Sequence, residues 1–333
     1  MNGAPPPVEL FGICYWVPYG DSMARDGSWP DRSHRTLTLN EDGTADLSAT
    51  AFVLPGGSTR GAAQVGMLMA LTEAGVKPDL VVGTSVGALN AACYAADPTL
   101  AGLGKIDRLW VAAPRSQIFP LSVRSIVSNL RHREGYVLPN DGLRRWIADN
   151  TRHARLDEFP IPIHAVATDA ETGQAVVLSS GDTVTALLAS AAIPGVFPPV
   201  LIDGARLYDG AVAADTPIAQ AAALGATTIY VLSTTAPDPV QPAVWRILDR
   251  LFGQPAVIEE PSEIPGVAVH VLPAPRASGN PYSFRSSRQL IDEARALART
   301  FLSHHAGSPT HTEAPWPSLT RSTPSSMLRP TSA

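Results

Sequence analysis

The stretch Leu80-Val81-Val82 runs without a break into Gly83-Thr84-Ser85-Val86-Gly87 and then into an apolar helical pattern reaching residue 95. A short apolar strand, a glycine-flanked serine and an apolar helix allow few arrangements. The serine belongs in a tight strand-to-helix turn, which turns its hydroxyl outward at the carboxyl edge of a sheet. Gly83 and Gly87 lack Cβ atoms, so chain and substrate can approach closely there. The helix that follows aims free backbone N–H groups at developing negative charge. On this reading Ser85 is the nucleophile of a serine acyl hydrolase. A plain glycine-rich connection is the alternative for the turn taken alone.

The rest of the chain fits the same frame. Residues 51–54, 80–82, 163–168, 175–178, 200–202, 228–232 and 268–272 read as strands, and residues 61–73, 85–95, 183–191, 217–224, 241–252 and 285–304 as helices. The helix at 61–73 is apolar nearly all round and should be buried on more than one side. That at 285–304 places Leu290, Ile291, Ala294, Leu297, Ala298 and Phe301 on one stripe. Strands alternating with helices predict an α/β layered fold with a largely parallel sheet.

Two ends fall outside this unit. Residues 1–49 open with Ala4-Pro5-Pro6-Pro7 and carry a hairpin signal around Asn40-Glu41-Asp42-Gly43, so they read as a partly ordered N-terminal extension. Residues 306–333 are rich in Ser, Thr and Pro and read as a flexible tail, leaving residues 50–305 as the folded domain. Residues 115–146 read as a cap. Its apolar Phe119, Leu121, Val123 and Ile126 are interspersed with Arg124, Arg131 and Arg133. Such a segment suits an acyl groove or lipid head groups, and equally an insertion helix with a solvated basic face.

Composition narrows the function classes. A net charge of -5 offers no global basic field for nucleic acid. No apolar run reaches the roughly 18 residues of a spanning helix, and residues 1–9 lack a secretory pattern. Cys14 and Cys93 alone cannot build a metal site and suit a reducing compartment, so a cytoplasmic location is expected. No Asp-rich loop implies calcium, and no cofactor is called for.

Two further elements bear on Ser85. Gly56-Gly57-Ser58-Thr59-Arg60-Gly61 again joins a strand to a helix. Acyl transfer passes through a tetrahedral oxyanion that needs preoriented donors, which a glycine-rich turn supplies from its backbone. A phosphate-cradling loop is the rival reading, but neither a lysine followed by Ser or Thr nor a G-x-G-x-x-G order is present. Tyr208-Asp209-Gly210-Ala211 places a carboxylate on an Asp-Gly turn, where Asp209 is either the base that takes the serine proton or an ordinary turn residue.

In this order the three elements resemble the patatin-like phospholipase family, over about residues 52–218. The matching motifs are G-G-G-x-R/K-G at 56–61, G-x-S-x-G at 83–87 and D-G-G/A at 209–211. The stretch Ala189-Ser190-Ala191-Ala192-Ile193-Pro194-Gly195 is similar to the segment that this family places before its aspartate. The resemblance implies a three-layer α/β/α sandwich with a mainly parallel central sheet. It also implies a Ser-Asp dyad without histidine, with Ser85 as nucleophile and Asp209 as general base. Gly56, Gly57, Ser58, Thr59, Arg60 and Gly61 would form the oxyanion loop, and Gly83 and Gly87 the nucleophile elbow. The implied partner is a lipid or other ester, met in solution or at a membrane surface, and the implied activity is that of a phospholipase A or lysophospholipase.

This chain departs from the family pattern twice. Ser58 stands where a third glycine is usual, which costs energy if that position needs positive φ. Asp215 stands where many members have asparagine, and a second carboxylate near Asp209 would raise its pKa. Other readings stay open at this point: an α/β-hydrolase triad using His270, with His164 a core or edge histidine; an inactive lipid-binding or regulatory protein of the same fold; and, behind these, a nucleotide-binding protein.

Overall fold

The structure, a computed structural model, describes residues 48–112, 136, 138–234, 264–275 and 286–305. The expected extension and tail, the helix at 241–252 and the cap residues named above lie outside the described residues. Within them, eight strands form one sheet: β1 (Thr50–Leu54), β2 (Leu80–Thr84), β3 (Ile163–Asp169), β4 (Ala175–Leu178), β5 (Val200–Ile202), β6 (Ala205–Asp209), β7 (Thr228–Leu232) and β8 (Ala268–Leu272). The spatial order is β5-β6-β3-β2-β1-β7-β8, with β4 paired to β3. The run β3-β2-β1-β7-β8 is parallel, while β4, β5 and β6 pair antiparallel.

The helices are α1 (Ala62–Glu73), α2 (Val86–Ala96), α3 (Leu100–Ala112), α4 (Asp141–Asn150), α5 (Thr183–Ser190), α6 (Ala211–Ala214), α7 (Ile218–Ala223) and α8 (Ser287–His305). They cover both faces of the sheet. In β1, Phe52 and Leu54 join Val81, Ala165 and Ala167 under α1, α2, α3 and α5. Ala51 and Val53 join Val82, Val166 and Val231 under Ile218 and Ala221 of α7 on the opposite face. Burial on both faces is why these strands read as continuous apolar runs rather than alternating ones. A fully buried side chain such as Phe52 or Leu54 contributes about 1.5–3 kcal/mol over leaving it in water.

Helix α1 is enclosed from Ala62 to Leu71 because the sheet lies beneath it and α8 crosses above it. The crossing is close: a Cβ at Gly66 would fall 2.1 Å from the Ile291 carbonyl oxygen. On α8, Leu290, Ile291, Ala294 and Ala298 are buried as the stripe predicts, but Leu297 is 39% exposed. It sits at the margin of the stripe.

Pairing around β3 sets up the site. A strand has two edges, and β4 occupies one of them from Ala165 to Thr168. On the other edge β2 pairs up to Thr84↔Val166, and β6 takes over from Asp209↔Ala167. Strands β2 and β6 run in opposite directions, so their carboxyl ends meet at one seam along β3. The sequence reading placed Asp209 on a turn; it is the last residue of a strand. The turn lies upstream, at Asp203-Gly204, where both residues have positive φ (47° and 87°) and join β5 to β6.

Candidate active site

Residue Ser85 occupies the turn between β2 and α2 with φ 54° and ψ −124°, a region sparsely populated by non-glycine residues. Holding such a conformation costs about 1–3 kcal/mol, so its surroundings must enforce it. Both neighbouring glycines do so by close approach. A Cβ at Gly87 would sit 1.9 Å from the Leu54 carbonyl oxygen, and one at Gly83 would sit 2.6 Å from the Ala88 backbone. The first turn of α2 is thereby pressed against the ends of β1 and β2. The Ser85 amide leaves the sheet and donates to Ser190 Oγ at 2.9 Å, and the Ser85 hydroxyl donates to Asp209 Oδ2 at 2.7 Å.

The Asp209 side chain is held on several sides. Its Oδ1 accepts from the Ala211 amide at 2.9 Å, its carbonyl accepts from Thr168 Oγ1 at 2.8 Å, and its amide donates to the Ala192 carbonyl at 3.0 Å. The residue is buried, and burial pushes its carboxyl up to about 7, against the lowering pull of the Ser85 and Ala211 hydrogen bonds. A weaker upward push comes from the neighbouring Asp215 carboxylate. A buried carboxylate poised near neutrality, bonded to a hydroxyl, is suited to general-base work. Gly210 has φ −63°, so no left-handed turn requires it. It is needed because a Cβ there would fall 2.2 Å from the Val166 carbonyl oxygen.

The loop at 56–61 lies against the same turn, since a Cβ at Gly61 would meet Val86 Cγ2 at 2.7 Å. Gly57 has φ 151° and Ser58 has φ 53°, followed by a 3-10 turn over Ser58–Gly61. Ser58 thus carries a Cβ in the left-handed region, the costly case anticipated for it. The Gly56 amide donates to the Asp215 carbonyl and the Arg60 amide to the Gly57 carbonyl, each at 3.1 Å. The amides of Gly57 and Ser58 have no partner among the described residues.

Buried polar side chains clamp this loop. Gln64 Nε2 donates to the Pro55 carbonyl at 2.8 Å, and Asn90 Nδ2 donates to the Gly61 carbonyl at 2.9 Å and to Gln64 Oε1 at 2.8 Å. Trp110 Nε1 donates to Asn90 Oδ1 at 2.9 Å, and Thr234 Oγ1 to the Gly56 carbonyl at 2.6 Å. Sequence reasoning missed this network. Its signal was a lone Gln and a lone Asn inside otherwise apolar helices. Asp215 lies under the loop, where a Cβ at Gly56 would come within 2.5 Å of Asp215 Oδ1, and burial pushes its carboxyl up to about 6.

The histidines stand apart. His270 on β8 stacks on Tyr230, and β8 is separated from β2 by β7 and β1, about 14 Å at ordinary strand spacing. His164 bonds Ser179 at 2.8 Å, and burial lowers its pKa to about 4. Neither meets Ser85 or Asp209. Among the described residues no cluster of three His, Cys, Asp or Glu is placed to hold a metal, and no helix is long and apolar enough to cross a membrane.

A family model described as patatin-like phospholipase matches residues 52–222, just over half of the chain. Lysophospholipase nte1 of Aspergillus niger is 28% identical over 211 residues, covering 63% of this chain and 13% of that protein. Patatin-like phospholipase domain-containing protein 6 of Mus musculus is 29% identical over 190 residues, covering 56% and 14%. The chain thus spans only a small part of the curated relatives it matches. Among solved structures, VipD from Legionella pneumophila aligns with a TM-score of 0.40 at 14% identity, covering 80% of this chain and 70% of that one. Human GIVD cytosolic phospholipase A2 aligns with a TM-score of 0.44 at 14% identity, covering 81% and 60%.

Proposed function

The chain belongs to the patatin-like phospholipase family, and from that premise we propose that it is a serine acyl hydrolase cleaving ester bonds of lipids through a Ser85–Asp209 dyad. The observation that carries this reading is the 2.7 Å hydrogen bond from Ser85 Oγ to a buried Asp209 carboxylate. That one relative is named a lysophospholipase supports a phospholipid or lysophospholipid as the substrate class.

In this mechanism Asp209 Oδ2 takes the Ser85 proton as Ser85 Oγ attacks the ester carbonyl carbon. The carbonyl electron pair moves onto oxygen, and the amides of Gly57 and Ser58, unspent among the described residues, are the donors proposed for that oxyanion. Collapse breaks the ester C–O bond, and the leaving alcohol takes the proton from Asp209. Water then attacks the acyl-enzyme, giving its proton to Asp209. Collapse of the second tetrahedral intermediate frees the fatty acid and returns that proton to Ser85 Oγ. In this scheme Asp209 relays every proton, between Ser85 Oγ, the leaving alcohol and the attacking water.

A panel of p-nitrophenyl esters, lysophospholipids and phospholipids, run with wild type, Ser85→Ala and His270→Ala, tests the proposal. Hydrolysis should vanish in Ser85→Ala and persist in His270→Ala. Full activity in Ser85→Ala defeats the proposal, and loss in a folded His270→Ala restores the triad reading.

A further inference from the structure

The segment at 189–195 stood out in the sequence, yet the mechanism above gives it no part. Ser190 ends α5 and is fully buried. Its hydroxyl accepts from the Ser85 amide at 2.9 Å and donates to the Val166 carbonyl at 2.6 Å. Its own carbonyl accepts from the Gly210 amide at 3.3 Å, and two residues on, Ala192 accepts from the Asp209 amide at 3.0 Å. Four bonds from one helix end therefore reach the nucleophile, the base, Gly210 beside it and Val166, the β3 position at which β2 gives way to β6.

We propose that Ser190 is the positioning residue that holds Ser85 against Asp209, a role that rests on the dyad chemistry proposed above. The physical case begins with the amide of Ser85. At φ 54° and ψ −124° that amide has left the β2 ladder, and Ser190 Oγ is its partner. An unpaired buried N–H is costly, so this bond favours the strained turn over relaxed alternatives. A helix also ends with carbonyls that have no partner inside it. Those of α5 and the residues just after it are taken by the amides of Asp209 and Gly210, which locks the base to the same body that locks the nucleophile. A serine hydroxyl can accept from Ser85 and donate to Val166 at once, within a small volume.

The test uses the full chain, with Ser190→Ala and Ser190→Cys compared with wild type and Ser85→Ala on a p-nitrophenyl ester across about pH 5–9. Ser190→Ala should lower kcat about 30-fold at unchanged KM. Its acid limb should move to higher pH, because the Ser85 hydroxyl no longer holds the Asp209 pKa down. A residue that only fills a helix end would lower the melting temperature and leave both readouts alone. Ser190→Cys keeps the volume with a weak donor and acceptor. It should show a smaller fall in kcat and the same direction of shift, and it carries the test if Ser190→Ala does not accumulate. Wild-type kcat and wild-type pH dependence in either folded variant overturn the proposal. Hydrolysis that survives Ser85→Ala instead overturns the dyad on which it rests.

Discussion

Asp209, buried, and Asp215, half-buried beneath the oxyanion loop, are two carboxylates in one site with opposite situations. Asp209 accepts from Ser85 Oγ and the Ala211 amide, whereas the Asp215 side chain accepts no hydrogen bond among the described residues. Burial raises both, to about 7 and about 6, and the Asp215 charge adds to the rise at Asp209.

Replacing Asp215 by Asn should therefore act twice. With the Asp215 charge gone, the Asp209 pKa falls, and the acid limb of kcat/KM moves to lower pH. For stability the sign follows from where the proton is held. A carboxyl raised in the folded state keeps its proton after the unfolded chain has lost one, so folding loses stability as pH rises from about 4 through about 6. Asp215→Asn should melt higher than wild type near pH 8 and match it near pH 4, on an approximate scale set by that shift. Thermal melts at both pH values check this; a wild-type gap that is equal at both contradicts it.

The left-handed backbone of Ser58 predicts a size-dependent response. Ser58→Gly removes a Cβ penalty of about 1–2 kcal/mol but adds unfolded-state freedom, so stability should change by less than about 1 kcal/mol, with activity kept. Ser58→Val, β-branched, should lose most of its kcat because φ 53° is denied to it. Steady-state kinetics on both variants is the check.

The clamp on the loop predicts a stability effect. Asn90→Ala leaves Trp110 Nε1, the Gly61 carbonyl and Gln64 Oε1 each short of a partner. A loss of about 3 kcal/mol is expected, since each unsatisfied buried group costs about 1–3 kcal/mol and some relaxation offsets the sum. A fall in melting temperature of only a degree or so would show that the network contributes little.

Much of this architecture was legible in the chain. Strands buried on both faces write themselves as Phe52-Val53-Leu54 or Leu80-Val81-Val82, and Gly83 and Gly87 mark a close approach that nothing larger permits. What stayed hidden depends on distant pairing. In β6, Ala205-Arg206-Leu207-Tyr208 has one fully buried apolar residue and no periodic run to announce it, and the Asp203-Gly204 pair before it went unread. That Ser85 and Asp209 meet follows from two strands sharing one edge of β3, a relation no local pattern encodes. Ser190 read as one small residue among alanines because its partners lie 105 and 24 residues away.

The most direct measurement of the central claim is the rate at which a fluorophosphonate labels Ser85 in wild type and in Asp209→Asn, with the modified residue identified by mass spectrometry. The account predicts labelling at Ser85 in wild type that accelerates as pH rises through about 7, and labelling at least about 100-fold slower in a folded Asp209→Asn. Equal rates in the two proteins, or a label found on another residue, would contradict it.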